Sequence, residues 1–238
     1  MNAAIPTQDQ SLIEHLSRDE LYAHAVHSFR HGGGTEPEVV IVAYEGTRAV
    51  LKDYGRGSGW FAWLIGPLLI RRETQALERL AGLPGIPALI RRIDARGVLM
   101  EYVPAEPWPR VQPPAQSFDR LHALVAAMHS RGVAHCDMRA PSNILVDKQG
   151  QPFIVDFVAR VMRGSSWNRP WNWVFAKFCQ TDRNALAKLK VRNAPELATA
   201  QEREMAEHRG FWTHAFRAIG AGLRAFTRLF VSRSKPGA

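Results

Sequence analysis

Cysteine is scarce in this chain. Cys136 and Cys179 are the only two in 238 residues, too few for a disulfide framework, so free thiols in a reducing compartment are expected. Long apolar runs are missing as well. The stretch Trp60 to Ile70 has 11 residues, whereas a bilayer-spanning helix needs about 20. Met1 to Glu20 is polar and acidic, without a basic start and an apolar core, so no secretory signal is expected. No internal repeat or long low-complexity tract appears, which excludes solenoid and collagen-like architectures. Acidic residues are the minority charge, 22 against 31 Lys and Arg, giving a net charge of +9.

Hydrophobic residues make up 46% of the chain, enough to bury the core of one globular unit. The most informative stretch orders three groups: His135-Cys136-Asp137, then Asn143, then Asp156-Phe157. Between Asn143 and Asp156 lie Ile144 to Asp147, the turn Lys148-Gln149-Gly150, and Gln151 to Val155. That pattern predicts a hairpin whose two ends bring Asn143 and Asp156 together. Upstream, Val39 to Tyr44, the turn Glu45-Gly46 and Arg48 to Tyr54 predict a second hairpin that carries Lys52. Leu69 to Leu80 has helical apolar spacing, with Glu73 set to face the sheet and Glu78 set in solvent. Ala88 to Arg92, the turn Asp94 to Gly97 and Val98 to Val103 predict a third strand pair. Ser117 to Gly132 reads as a helix, with Ser117 as its cap, an apolar face of Phe118, Leu121, Leu124, Val125 and Met128, and Gly132 as its end. Five prolines from Pro104 to Pro114 mark an extended linker before it.

The ordered Asp137, Asn143 and Asp156, preceded by Ala49-Val50-Leu51-Lys52, resemble the protein-kinase-like superfamily from about residue 24 to residue 160. Within it, the chain is similar to the small bacterial lipopolysaccharide-sugar kinases and RIO-like kinases. The resemblance implies an α+β, bilobal protein-kinase-like fold, with a small antiparallel-sheet N-lobe and a trimmed helical C-lobe. The expected organisation is an N-terminal segment 1–23, an N-lobe 24–103, a C-lobe with the catalytic loop 104–209, and a basic amphipathic helix 210–238. ATP and Mg²⁺ are the implied cofactors and a hydroxyl, on a glycolipid or a protein, the implied acceptor. Asp137 becomes the catalytic base, and Asn143 and Asp156 the Mg²⁺ ligands. Lys52, paired with Glu73, contacts the nucleotide phosphates. Backbone groups near Glu101 and Val103 meet the adenine. Arg139, two residues after the base, stabilises the transferred phosphoryl group. His135 is expected to be a structural loop residue.

Gly32-Gly33-Gly34-Thr35 could cover phosphates with backbone amides, although it does not follow the Gly-x-Gly-x-x-Gly pattern. Other departures are an Asp137-to-Asn143 interval one residue longer than in protein kinases, with Pro141 inside it, and Val158 in place of the glycine of Asp-Phe-Gly. Ala194-Pro195-Glu196 matches a kinase triplet but lies far from Asp156 and is read as coincidence. Asp182 is expected to brace the catalytic loop.

The excess positive charge points to an anionic partner. Trp60 to Ile70 with Arg56, Arg71 and Arg72, the cluster Trp167, Arg169, Trp171, Trp173 and Lys177, and an aromatic, arginine-rich repeat from Trp212 to Phe230 have the character of interfacial segments. A membrane surface therefore ranks above nucleic acid, which would rather use a basic groove lined by stacking aromatics. The expected location is cytoplasmic, peripheral at the inner face of the inner membrane.

Overall fold

The computed structural model describes residues 12–32, 36–57, 60–111 and 113–207. Gly33, Gly34 and the expected helix 210–238 lie outside the described residues.

A short helix, α1 (Arg18–Ala23), precedes a five-stranded antiparallel sheet built from β1 (Ala25–Arg30), β2 (Glu38–Tyr44), β3 (Thr47–Asp53), β4 (Leu89–Arg92) and β5 (Gly97–Glu101). The strand order is β1-β2-β3-β5-β4. The β2–β3 hairpin turns through Glu45 and Gly46 at φ of 46° and 79°. Two consecutive positive φ values make a two-residue turn whose twist matches the strands, and glycine takes one of them without steric cost. The register runs from Tyr44 opposite Thr47 to Glu38 opposite Asp53. Lys52 therefore sits near the far end of β3, opposite Val39 on one side and Val98 on the other. Ser17 caps α1 with a reciprocal capping box through Glu20. Leu21 of α1 and Ile13 bury against Val40, Val42, Leu51 and Leu99 of the sheet. Arg18 and Tyr22 fasten α1 to Asp53 at the end of β3.

Between β3 and β4 come α2 (Trp60–Leu64) and α3 (Gly66–Arg79). The apolar run of the sequence thus divides into two helices with two faces. Phe61, Ala62 and Ile70 are buried, whereas Trp63 (69% exposed), Leu64 (57%) and Leu68 (53%) lie in solvent. After α3 the chain turns at Gly85 (φ +94°), where a Cβ would lie 2.7 Å from Leu124 and from the Pro152 carbonyl. Only glycine fits, and its carbonyl accepts the Ile154 amide at 2.9 Å.

The remaining elements are β6 (Glu106–Pro107), α4 (Gln116–Ser130), β7 (Val133–Ala134), β8 (Ile144–Val146), β9 (Pro152–Ile154), β10 (Val161–Met162), α5 (Arg169–Asn193) and α6 (Ala200–Glu207). β6, β8 and β9 form a small sheet, and β7 pairs with β10. One apolar core joins α3, α4, the hairpin β8–β9 and α5. Ser117 does not cap α4. The helix begins one residue earlier at Gln116 after Ala115, and Ser117 is fully buried within the first turn. Its amide donates to the Pro114 carbonyl, so the prolines set the start of the helix, not the hydroxyl. Gly132 (φ +78°) does end α4.

Candidate active site

The sheet and α3 bring Lys52 and Glu73 together. Lys52 Nζ lies 2.6 Å from Glu73 Oε2 and 2.9 Å from Asp156 Oδ1. Glu73 is 2% exposed, while Glu78, one turn on, faces solvent. Burial opposes the charge on Lys52, but the carboxylates of Glu73 and Asp156 outweigh it and raise its pKa. The Lys52 ammonium in turn holds the Asp156 carboxyl below its ordinary range, against burial. The side chain of Asp156 remains 44% exposed, so one face of this ion triad is open.

The hairpin β8–β9 pairs Ile144 with Ile154, which sets Asn143 and Asp156 at its open end. The Val155 amide donates to the Asn143 carbonyl at 3.0 Å. Asn143 is buried and donates from Nδ2 to the Asp137 carbonyl (3.0 Å) and to Asp137 Oδ2 (3.2 Å). The longer interval between these residues is absorbed by two successive turns, Ala140 N to Asp137 O and Asn143 N to Ala140 O. Asn143 Oδ1 accepts from the Ser142 hydroxyl at 3.3 Å. Asp156 and Asn143 offer hard oxygen donors, one a carboxylate, of the kind that binds Mg²⁺ together with nucleotide phosphates. Among the described residues no group of three or more His, Cys, Asp and Glu side chains is gathered as a metal site.

Asp137 itself is exposed at the loop surface. The loop behind it is tied down. Asp182 of α5, 1% exposed, accepts the amides of His135 (2.7 Å) and Cys136 (2.8 Å) and the His129 Nε2–H (3.0 Å). Cys136 adopts φ +70°, a strained position for a residue with a side chain, and this carboxylate holds it. His135 is fully buried. Its Nδ1 accepts the Asp137 amide, and Nε2 then donates to the Val155 carbonyl at 2.9 Å. The imidazole thus connects the two halves of the site as a structural residue. Burial, and then the Asp182 carboxylate, push the Cys136 thiol well up and the Cys179 thiol to about 11.

Two arginines that the sequence reading did not place join the site. Arg72 of α3 donates from Nε to the Val158 carbonyl at 2.8 Å and from Nη2 to the Arg160 carbonyl. Arg160 replies, with Nε to the Arg72 carbonyl (2.7 Å) and Nη2 to Gln75 Oε1 (2.6 Å). This clasp binds the segment after Asp156 to the helix that carries Glu73. Arg72 is therefore engaged and is not a free basic flank of the apolar run. No local spacing signals a contact between residues 88 positions apart.

Glu101 ends β5 and Val103 follows two residues later; Glu101 Oε2 accepts the Ala88 amide and the Val103 carbonyl accepts the Ala105 amide. Gly32 is exposed in the connection from β1 to β2. Arg139 is exposed beside Asp137. Ala194-Pro195-Glu196 closes the end of α5 in a short turn.

No protein-family model matches the chain, and no curated protein matches it in sequence. Solved structures do match in fold. The Rio2 kinase of Chaetomium thermophilum, as an ADP/Mg²⁺-phosphoaspartate complex, superposes with a TM-score of 0.51 at 21% identity over 78% of this chain. The present chain spans 64% of that protein's length. A second structure of the same kinase gives 0.56 at 20% identity, covering 90% of this chain and 77% of that one. WaaP, in complex with acyl carrier protein, gives 0.51 at 16% identity, covering 98% of this chain and 99% of the other. The sheet of order β1-β2-β3-β5-β4 and the helix packed against it are therefore those of a protein-kinase-like fold.

Proposed function

We propose that the chain is an ATP- and Mg²⁺-dependent phosphotransferase that phosphorylates a hydroxyl on a lipid-linked sugar or on a protein Ser/Thr, working at a membrane surface. The observation that carries this reading is the assembled network Lys52–Glu73–Asp156 opposite Asp137–Asn143. Each member has a task suited to its chemistry. Lys52 is a point charge for the nucleotide phosphates, kept protonated by two carboxylates. Asn143 and Asp156 would hold Mg²⁺, which when bound neutralises charge on the phosphates. Asp137 takes the proton of the acceptor hydroxyl, its carboxylate oriented by Asn143 and its backbone by His135. Arg139 faces the negative charge that develops on the transferred group. The nucleotide would lie between an N-lobe, 24–103, and a C-lobe, 104–209, with backbone groups near Glu101 and Val103 for its adenine and the glycine run from Gly32 to Gly34 for its phosphates. That the Rio2 structure holds ADP and Mg²⁺ supports the cofactors.

For the membrane surface, the support is the exposed Trp60, Trp63, Leu64 and Leu68, together with Trp167, Trp171 and Trp173 near the start of α5. Indole rings favour the headgroup region. Among the described residues no helix is long and apolar enough to cross a membrane; the attachment proposed is peripheral, at the cytoplasmic face of the inner membrane.

The test is transfer of radiolabelled γ-phosphate from ATP into a membrane extract, with lipid and protein products separated. Asp137→Asn should lose about 10²–10⁴-fold in transfer while keeping nucleotide affinity, because the base touches the acceptor and not ATP. Wild-type protein that binds Mg·ATP without any transfer would instead be a nucleotide-binding scaffold.

A further inference from the structure

A compact cleft of about 50 Å³ opens between the end of α5 and the loop that carries Asp137, lined on the loop side by the residues that follow it, Met138 to Pro141. Trp108, Met138 and Leu189 give it apolar walls, and Arg139, Arg192 and Asn193 give it polar ones. No acidic residue lines it. Neither guanidinium has a side-chain hydrogen bond or ion pair among the described residues, and this sets them apart from Arg18, Arg72 and Arg160, which are all engaged. Arg192 stands in the last turn of α5, where the helix dipole favours a cation. The dipole does not explain why a second cation, from a different element, faces the same small space. Both side chains are exposed, so solvent screens their mutual repulsion, and an anion between them would turn that repulsion into attraction.

We propose that this cleft binds an anionic group, a phosphate or a carboxylate, carried by the acceptor sugar, with Arg192 as the residue that selects for it. The inference rests on the phosphotransferase reading and names its substrate class. The size of the cleft agrees. One water needs roughly 10–15 Å³ of such space, so about 50 Å³ accepts a group of three to five heavy atoms, which is a carboxylate or a phosphate. An extended peptide would need a row of such subsites, whereas a sugar carries its anion and its hydroxyl on one rigid ring. Guanidinium groups match both anions by paired N–H donors, which an ammonium cannot do as well. With the anion held by Arg192, a hydroxyl elsewhere on the same sugar would be offered to Asp137, two residues before Arg139 on the same loop.

Binding is measured by calorimetry on the full chain loaded with Mg·AMP-PNP, so that the nucleotide phosphate sites are filled. Glucose 6-phosphate, glucuronate and glucose serve as phosphate, carboxylate and neutral probes. One or both anions should bind at least 10-fold more tightly than glucose. Arg192→Gln should weaken the better anion by about 10-fold or more, a charge-assisted hydrogen bond being worth ~1.5–3 kcal/mol. Arg192→Lys should fall between them, and neither variant should change the affinity for Mg·AMP-PNP. Equal binding of the three sugars, no saturable binding of either anion, or an unchanged affinity in Arg192→Gln would each overturn the proposal. A phosphoserine peptide that binds more tightly than both acidic sugars would overturn the sugar assignment. Failure of the wild-type protein to bind Mg·AMP-PNP at all would instead refute the phosphotransferase reading beneath it.

Discussion

Replacing Asp182 with asparagine isolates what the buried carboxylate does for the catalytic loop. One of its oxygens accepts both the His135 amide and the His129 Nε2–H, and the other accepts the Cys136 amide. Asparagine keeps the shape but has one carbonyl oxygen. Placed where two donors converge, that oxygen leaves an NH₂ facing the Cys136 N–H, donor against donor. A hydrogen bond to a charged group contributes ~1.5–3 kcal/mol, and the buried amide left without an acceptor adds to the loss. A destabilisation of about 2–3 kcal/mol follows. For a chain of this size each kcal/mol moves Tm by roughly 2–4 °C, so Tm should fall by about 4–12 °C. Asp182→Ala loses every acceptor and should cost more than about 4 kcal/mol. The two effects on function should separate. Cys136 precedes Asp137, so the rate of transfer should drop in Asp182→Asn, whereas Lys52, Glu73 and Asp156 do not touch Asp182 and Mg·ATP affinity should hold. Thermal unfolding, nucleotide calorimetry and phosphate transfer on the one variant test this. A Tm within about 2 °C of wild type with unchanged transfer would refute the bracing role.

Three further expectations follow from the same geometry. Because Lys52 depresses the Asp156 pKa below its ordinary 3.8, their pairing stabilises the fold above that pH and is lost as pH falls through the lower folded-state value. The stability gap between wild type and Asp156→Asn in urea unfolding should therefore narrow between pH 5 and about 2; a gap independent of pH contradicts it. With Cys179 held near 11 against an ordinary 9.0, its thiolate fraction at pH 8 is about 100-fold below that of a free thiol. Iodoacetamide labelling read by mass spectrometry should be at least about 10-fold slower in the native protein, the higher nucleophilicity of a high-pKa thiolate offsetting part of that factor, and peptide-like rates would be the contrary result. Changing Trp63 and Leu64 together to serine should leave Tm within about 4 °C, since both are exposed and each such change is worth up to about 0.5 kcal/mol. The same change should weaken co-sedimentation with vesicles containing phosphatidylglycerol by about 30-fold, because partial immersion of two large apolar groups contributes roughly 2 kcal/mol; unaltered co-sedimentation would remove this face from the membrane contact.

The parts of the fold that could be read from the sequence are those fixed by local chemistry. The turn at Glu45 and Gly46 defines its own hairpin, and the spacing of Ala76 and Leu77 decides that Glu73, not Glu78, faces Lys52. Strand β1 was not legible. Val26 and Phe29 are about 60% exposed and two register irregularities interrupt its pairing, so no alternation marks it. Once it is seen, Gly32 falls in the β1–β2 connection. Helix α5 had readable signals that the tryptophan cluster obscured: Asn168 caps it through the Trp171 amide, and Pro170 follows in the first turn. Contacts such as Arg72 with Arg160 depend on two elements meeting in space, and nothing in either segment announces the other.

That clasp also explains why valine at 158 is compatible with an assembled site. The left-handed conformation in this segment is taken by Asp156, at φ +65°, while Val158 lies in a single turn of tighter helix with negative φ. Asp and Asn tolerate that region better than other side chains, so no glycine is needed. A glycine after the Asp-Phe pair would let the segment swing; here four hydrogen bonds from two arginines hold it against α3. At ~0.5–1.5 kcal/mol each they sum to about 2–6 kcal/mol. Inverting a two-state equilibrium from 99:1 takes about 5.5 kcal/mol. A disengaged segment would thus be a minor state, about 3% or less, and the Lys52–Glu73–Asp156 triad stands assembled without an added charge to order the loop. Arg160 keeps that role although burial and the neighbouring Arg72 lower its pKa to about 10, because at that value it is still fully protonated near neutral pH.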